Sequence, residues 1–187
     1  MDEARTEANG RSSAVPSFEE LVGRHAETLY RVAFRLTGRA DVAEDLVQES
    51  FLDAFRGLKQ LRSGDSAFAW LVSILRRRRV KWLKANAKAP VLAFPMVDLA
   101  APVPPPPSVV DAEELERALD RLPDEYREPL ILFYFEDLKY REIAEALETP
   151  IGTVMSRLAR AKALLRSLLV NATSDGKSQN EVRDGSP

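Results

Sequence analysis

Two clusters in this chain have residue types and spacings suited to chemistry on a nucleic acid. In the first, Thr153, Ser156, Arg157 and Arg160 recur along one side of a helical pattern, with no carboxylate among them. Guanidinium groups fork onto guanine edges or phosphates and hydroxyls reach either, which is the chemistry of a helix lying in a major groove. In the second, Arg56 to Lys88 holds ten basic residues against one acid, Asp65, and Trp70, Ser73, Arg77, Lys81 and Lys84 share a face. Rings stack on bases while cations replace the counterions of phosphates, which is what an unpaired strand needs. Each cluster also has a bland reading: the first as an ordinary solvated face, the second with Trp70 as a core residue.

The elements that must position these residues are helices. Around the first cluster, Ile151, Val154, Leu158, Ala161, Leu165 and Leu168 recur at spacings of three and four as a core-facing stripe. Thr149 is a candidate cap for this helix, with Pro150 at its first position. Just upstream, Tyr140, Ile143, Ala144 and Leu147 make a shorter apolar side with Glu142, Glu145 and Glu148 outward. Two helices with a tight turn between them form a helix-turn-helix, which points at DNA. Around the second cluster, Phe68, Leu71, Val72, Leu75 and Trp82 form the expected core face. Helices are predicted over Ser17–Leu36, Asp41–Lys59, Ala67–Asn86, Asp111–Asp120 and Asp124–Glu136, with Pro129 early enough in the last to tilt it without ending it.

The helix over Asp41–Lys59 carries a different pattern. Ala43, Val47, Phe51, Ala54 and Leu58 are its expected core stripe, and Asp41, Asp45, Glu49 and Asp53 recur every fourth residue on the other side, where like charges repel mildly. Leu46 and Leu52 are expected among these acids, pointing away from the core. An acidic face with embedded apolar residues suits a basic helical partner, and it equally suits plain solvation. Arg76 to Arg79, in turn, should repel one another unless an anion relieves them.

Composition bounds these readings. The chain has 187 residues, 45% hydrophobic and 30% charged, enough for one ordinary globular domain or two small ones. Its net charge of -2 hides an asymmetry: residues 1–89 carry 16 Lys+Arg against 12 Asp+Glu, and residues 90–187 carry 11 against 17. With no cysteine and one histidine, His25, no thiolate or zinc site is expected, and His25 is assigned no role. No nucleophile–base pair or phosphate-binding glycine loop is present, so neither an enzyme nor a cofactor is expected. The polar N-terminus lacks the order of a secretion signal, and the longest strongly apolar run, Leu130 to Phe135, is too short to cross a bilayer. A cytoplasmic chain with no membrane insertion follows as the expectation. Proline divides the chain: residues 89–110, with the Pro104 to Pro107 run, read as a semi-rigid linker between domains at 17–88 and 111–170. Leu92, Phe94, Met96, Val97 and Leu99 within it fit either a partner's groove or loose packing on the chain's own domains. Residues 1–16 and 171–187 have little to bury and are expected to be disordered.

Taken together, these features resemble the bacterial RNA polymerase sigma factors of the extracytoplasmic-function group. AEDLVQESFLDAFRGL, Ala43 to Leu58, is similar to the family's core-polymerase-binding helix; GDSAFAWLVSIL, Gly64 to Leu75, to its promoter-melting segment; and Leu122 to Leu165 to its fourth conserved region. The resemblance implies an all-α protein: a region 2 three-helix bundle and a region 4 helix-turn-helix joined by the Pro-rich linker, which threads toward the RNA exit path. It implies that Asp45, Leu46, Gln48, Glu49, Leu52 and Asp53 grip the clamp helices of the largest polymerase subunit. Ser63, Asp65, Ser66, Trp70, Ser73, Arg76, Arg77 and Lys81 would take an unpaired minus-ten strand. Thr153, Met155, Ser156, Arg157 and Arg160 would read the minus-thirty-five duplex. Promoter DNA, core polymerase and an anti-sigma factor are the implied partners, with no small-molecule substrate. Several positions depart from the family pattern: Arg77 stands at a usual Asn, Lys81 at a usual Asp, and Met155 and Phe133 where basic residues are common. The loop Leu61-Arg62-Ser63-Gly64-Asp65 is one residue longer before its Asp. A sigma-like decoy that binds an anti-sigma protein and a conventional helix-turn-helix regulator are the rival readings.

Overall fold

The structure, a computed structural model, describes residues 14–86 and 111–181, with side chains through residue 170. Among the described residues seven α-helices follow in order: α1 (Phe18–Thr37), α2 (Ala40–Gly57), α3 (Ala67–Asn86), α4 (Ala112–Asp120), α5 (Asp124–Tyr134), α6 (Tyr140–Ala146) and α7 (Ile151–Glu181), with 3₁₀ turns at Leu58–Gln60 and Gly64–Ser66. No strand occurs among the described residues. The Pro-rich segment expected as a linker lies outside them.

Local chemistry sets the helix ends. Ser17 Oγ accepts from Glu20 N at 3.2 Å while Glu20 accepts from Ser17 N at 2.9 Å, a reciprocal capping box that starts α1. α1 stops where Gly38 takes φ 65° and donates to Phe34 O at 2.8 Å, a left-handed closure that glycine adopts without strain. Ser63 Oγ accepts from Asp65 N at 3.2 Å and so turns the chain into α3. α5 ends at Tyr134 rather than at the expected Glu136, because Asp137 takes φ 52° and Leu138 N closes onto Leu132 O at 3.1 Å. α7 begins at Ile151, one residue past Pro150, and continues to Glu181, beyond the Val170 at which order was expected to end.

The described residues form two compact units, 14–86 with 131–151 and 111–130 with 152–181. In the first, α3 packs on α1, α2 and α6. Leu21, Leu29 and Leu71 are fully buried and Leu75 is nearly so, each stabilising the unit by roughly 1.5–3 kcal/mol. His25 stacks on Phe68 with centroids 5.5 Å apart, and burial, helped by Arg24, lowers its pKa.

The buried face of α2 is rotated from the expected stripe. Val42, Ala43, Leu46, Ser50, Phe51 and Ala54 are buried, whereas Val47 and Leu58 are half-buried. Leu46 therefore points into the core, contrary to expectation, while Leu52 is exposed as expected. The wider face lets the polar Ser50 sit inside by donating to Leu46 O at 2.6 Å.

In the second unit Ala118, Leu119, Leu122, Val154, Leu158, Ala161, Leu164 and Leu169 are buried. The apolar stripe of α7 thus holds at its centre and shifts at both ends: Ile151 is exposed, and Leu164 and Leu169 are buried while Leu165 and Leu168 are half-buried. Arg127 is drawn inside by donating to Asp120 Oδ1 at 2.6 Å.

Candidate nucleic-acid interface

Three surfaces hold the residues singled out by sequence. On α7, burial of Val154, Leu158 and Ala161 fixes the helix's rotation. Met155, Ser156 and Arg160 are left exposed, with Thr153 and Arg157 half-buried beside the core face. Ser156 Oγ donates to Thr153 O at 3.0 Å, a weak local bond that a base or phosphate can replace. Arg157 has one carboxylate near it, Glu125 Oε2 at 3.9 Å, which is beyond hydrogen-bond reach.

The second surface is the start of α3 and the loop before it. Arg62, Ser66, Trp70, Ser73 and Arg77 line a cavity of about 310 Å³ together with Glu145 and Glu148, from α6 and the turn after it. Trp70 lies over Gly57, where an added Cβ would meet its Cζ2 at 3.6 Å, so the ring is half-buried and not part of the main core. Ser73 does not stand on an open basic face as expected. It is buried and donates to Trp70 O at 2.7 Å, because three neighbours cover α3 and leave residues 71–75 inside. Ser63, Asp65, Arg76 and Lys81 are not among the residues lining the cavity.

The four consecutive arginines need no outside anion. Arg78 forks Asp53, with Nε donating to Oδ2 at 2.5 Å and Nη2 to Oδ1, and also donates to Glu49 at 3.1 Å. This pairing holds the Asp53 carboxyl below its ordinary pKa and raises the Arg78 guanidinium. Arg79 is 4% exposed and donates to Leu36 O near the end of α1. Arg77 donates to Glu148 at 2.7 Å, and Arg76 is also engaged.

The third surface is the outward side of α2. Asp45, Gln48, Glu49 and Leu52 are exposed, and Asp53 is half-buried under Arg78. Phe55, which the sequence reading passed over, is 62% exposed beside Leu52 and meets Phe18 edge-on at 5.1 Å. Its signal was an aromatic three residues after Leu52, on the same side of the helix.

Residues 21–89 match the family Sigma-70 region 2, and residues 112–165 match Sigma-70, region 4. Over 175 residues the chain is 34% identical to the ECF RNA polymerase sigma factor SigE of Mycolicibacterium smegmatis, covering 90% of this chain and 68% of that one. The chain belongs to the ECF sigma factors. It is also 33% identical over 142 residues to the RNA polymerase sigma factor SigV of Bacillus subtilis, covering 76% of this chain and 84% of that one. Among solved structures, the sigma factor RpoE of Bartonella quintana, in complex with the anti-sigma factor NepR, superposes with a TM-score of 0.61 at 26% identity, covering 81% of this chain and 96% of that one.

As a sigma factor, the chain acts in transcription initiation at promoters, by binding DNA. The region 2 match takes in α2 and α3, and the region 4 match takes in α4, α5 and α6 and the first half of α7, so all three surfaces fall inside family regions. No helix among the described residues is long and apolar enough to cross a membrane.

Proposed function

We propose that this sigma factor divides promoter recognition between α7 and α3 and docks on core polymerase through α2. The outward residues of α7, Thr153, Met155, Ser156, Arg157 and Arg160, read the minus-thirty-five duplex, with Met155 offering an apolar contact of the kind a thymine methyl accepts. The cavity around Trp70, with Arg62, Ser66 and Arg77, takes an unpaired base of the minus-ten strand, and Lys81 adds charge along the backbone. Asp45, Gln48, Glu49 and Leu52, joined by Phe55, face the polymerase clamp; Leu46 supports them from beneath, and Asp53 acts through Arg78. The observation that carries this reading is the exposure of Met155, Ser156 and Arg160 outside the buried stripe of Val154, Leu158 and Ala161 on α7. The functional division runs 17–88 and 111–170, and the work is cytoplasmic. Catalysis belongs to the polymerase that the factor recruits. An anti-sigma factor is a further partner, by analogy with the Bartonella relative.

The test is run-off transcription with core polymerase over a randomised promoter library. Transcripts above core alone, lost when Asp45 and Glu49 are changed to Lys, are the expected result. No transcript above core alone, in the absence of any inhibitor, overturns the reading and favours the decoy.

A further inference from the structure

Glu148 sits at φ 51°, in the left-handed region where glycine is unstrained and a glutamate is not. It occupies the residue after the C-cap of α6, and the turn is closed by Glu148 N on Glu145 O at 3.3 Å and Thr149 N on Ala144 O at 3.0 Å. This is the position of a helix-ending motif that most often takes glycine. A glutamate held there calls for an account of its side chain. The carboxylate accepts from Arg77 Nη1 at 2.7 Å. Arg77 belongs to the α3 surface, and the two residues line the cavity that also holds Trp70 and Arg62, with Glu145 as a second acid.

We propose that Glu148 is an intramolecular stand-in for a DNA phosphate: its carboxylate occupies Arg77 and, with Glu145, keeps the Trp70 cavity from an unpaired strand until a phosphate displaces it from the guanidinium. The inference rests on the assignment of the α3 surface to single-stranded DNA. Its chemistry is simple competition, since a carboxylate and a phosphate oxygen use the same guanidinium donors; Glu145, 3.6 Å from Arg141, is a second acid at the cavity. Both partners are just over half exposed, 55% for Arg77 and 56% for Glu148, so the contact is exchangeable and screened by salt. An ion pair of that exposure suits a mask better than a structural lock. Nothing in the fold's core depends on it, because Ile143, Ala146 and Leu147 supply the burial of this segment.

The experiment measures binding of a fluorescein-labelled single-stranded oligonucleotide of mixed sequence to the full chain at low salt, by anisotropy. Glu148→Gln should bind about twofold to fivefold tighter than the parent, the range that an exposed ion pair supports. Glu148→Gly should do the same and melt no lower, since it relieves the backbone. Adding Arg77→Gln should remove the gain, and high salt should shrink it. Unchanged binding by both Glu148 variants, with weaker binding by Arg77→Gln alone, would mean that Arg77 meets DNA unmasked; this overturns the mask and leaves the DNA assignment standing. A gain that survives Arg77→Gln also overturns it, in favour of general repulsion. If Trp70→Ala and Arg77→Gln change nothing even in the Glu148→Gln background, the α3 surface does not bind single strands and the assignment beneath the inference falls with it.

Discussion

α3 and α7 carry arginines of similar number in the sequence and use them in opposite ways. On α3, Arg78 is consumed by Asp53 and Glu49, Arg79 by the Leu36 carbonyl, and Arg77 by Glu148. On α7, Arg160 is exposed with no ion pair among the described residues, while the half-buried Arg157 keeps a long ion pair with Glu125 at 3.9 Å. A run of cations is therefore no measure of the charge a surface offers. α3 lies among three neighbours, where a buried or half-buried guanidinium must be paired to be tolerated. The outward face of α7 where Arg160 stands meets water, which solvates an arginine without asking for a partner.

Four variants can break or sharpen this contrast. The largest effect is expected from changing Arg157 and Arg160 together to Ala: at about 1–3 kcal/mol per good base contact, upstream duplex binding by the polymerase complex falls tenfold or more in a mobility-shift assay. The unfolding free energy of the free chain moves by under about 0.5 kcal/mol. Arg79→Ala should do the reverse, lowering stability by about 2–3 kcal/mol in urea unfolding through loss of a buried charged hydrogen bond and of the packed stem. Equal stability losses from the α3 and α7 changes would end the distinction.

Smaller effects concern the carboxylates that pair with arginines. Asp53→Asn should cost about 1 kcal/mol near neutral pH, held to that by the water reaching both groups. The Asp53 pKa is lowered from 3.8, so its contribution is present above that value and is lost as pH falls through the folded pKa. The stability gap between parent and variant should accordingly close in acid. Glu136 behaves oppositely. Its side chain is 1% exposed between Arg31 and Arg35, both at 3.4 Å, yet burial raises its pKa from 4.5. The contribution of its carboxyl is fullest below 4.5 and declines as pH rises through the folded pKa. Against Glu136→Gln, the parent should lose relative stability on going from acid to neutral pH, the smallest of the four effects. A gap that widened instead would mean that the two arginines outweigh desolvation.

Helix order and most boundaries were legible because they depend on neighbours in sequence. Ser17 with Glu20, Gly38 and the apolar spacing of α7 act over a few residues, and a single chain displays them. The rotation of α2 was not legible. Leu46 and Val47 are adjacent and both apolar, and only packing against α1 and α3 decides which of them goes inside. The end of α5 was missed for a related reason: Glu136 is turned toward α1 by Arg31 and Arg35, roughly a hundred positions away in sequence.

For the site, the division is sharper. The outward residues of α7 could be named from sequence because an amphipathic helix separates its faces by its own period. The occupants of the cavity near Trp70 could not, since Glu145 and Glu148 reach it from the other half of the chain. By itself the sequence determined the family, the helices and the kinds of residue available for DNA and polymerase. Tertiary structure alone decided which charges are free. A charge's availability depends on what lies within a few ångströms of it, and in a folded chain those neighbours come from distant sequence.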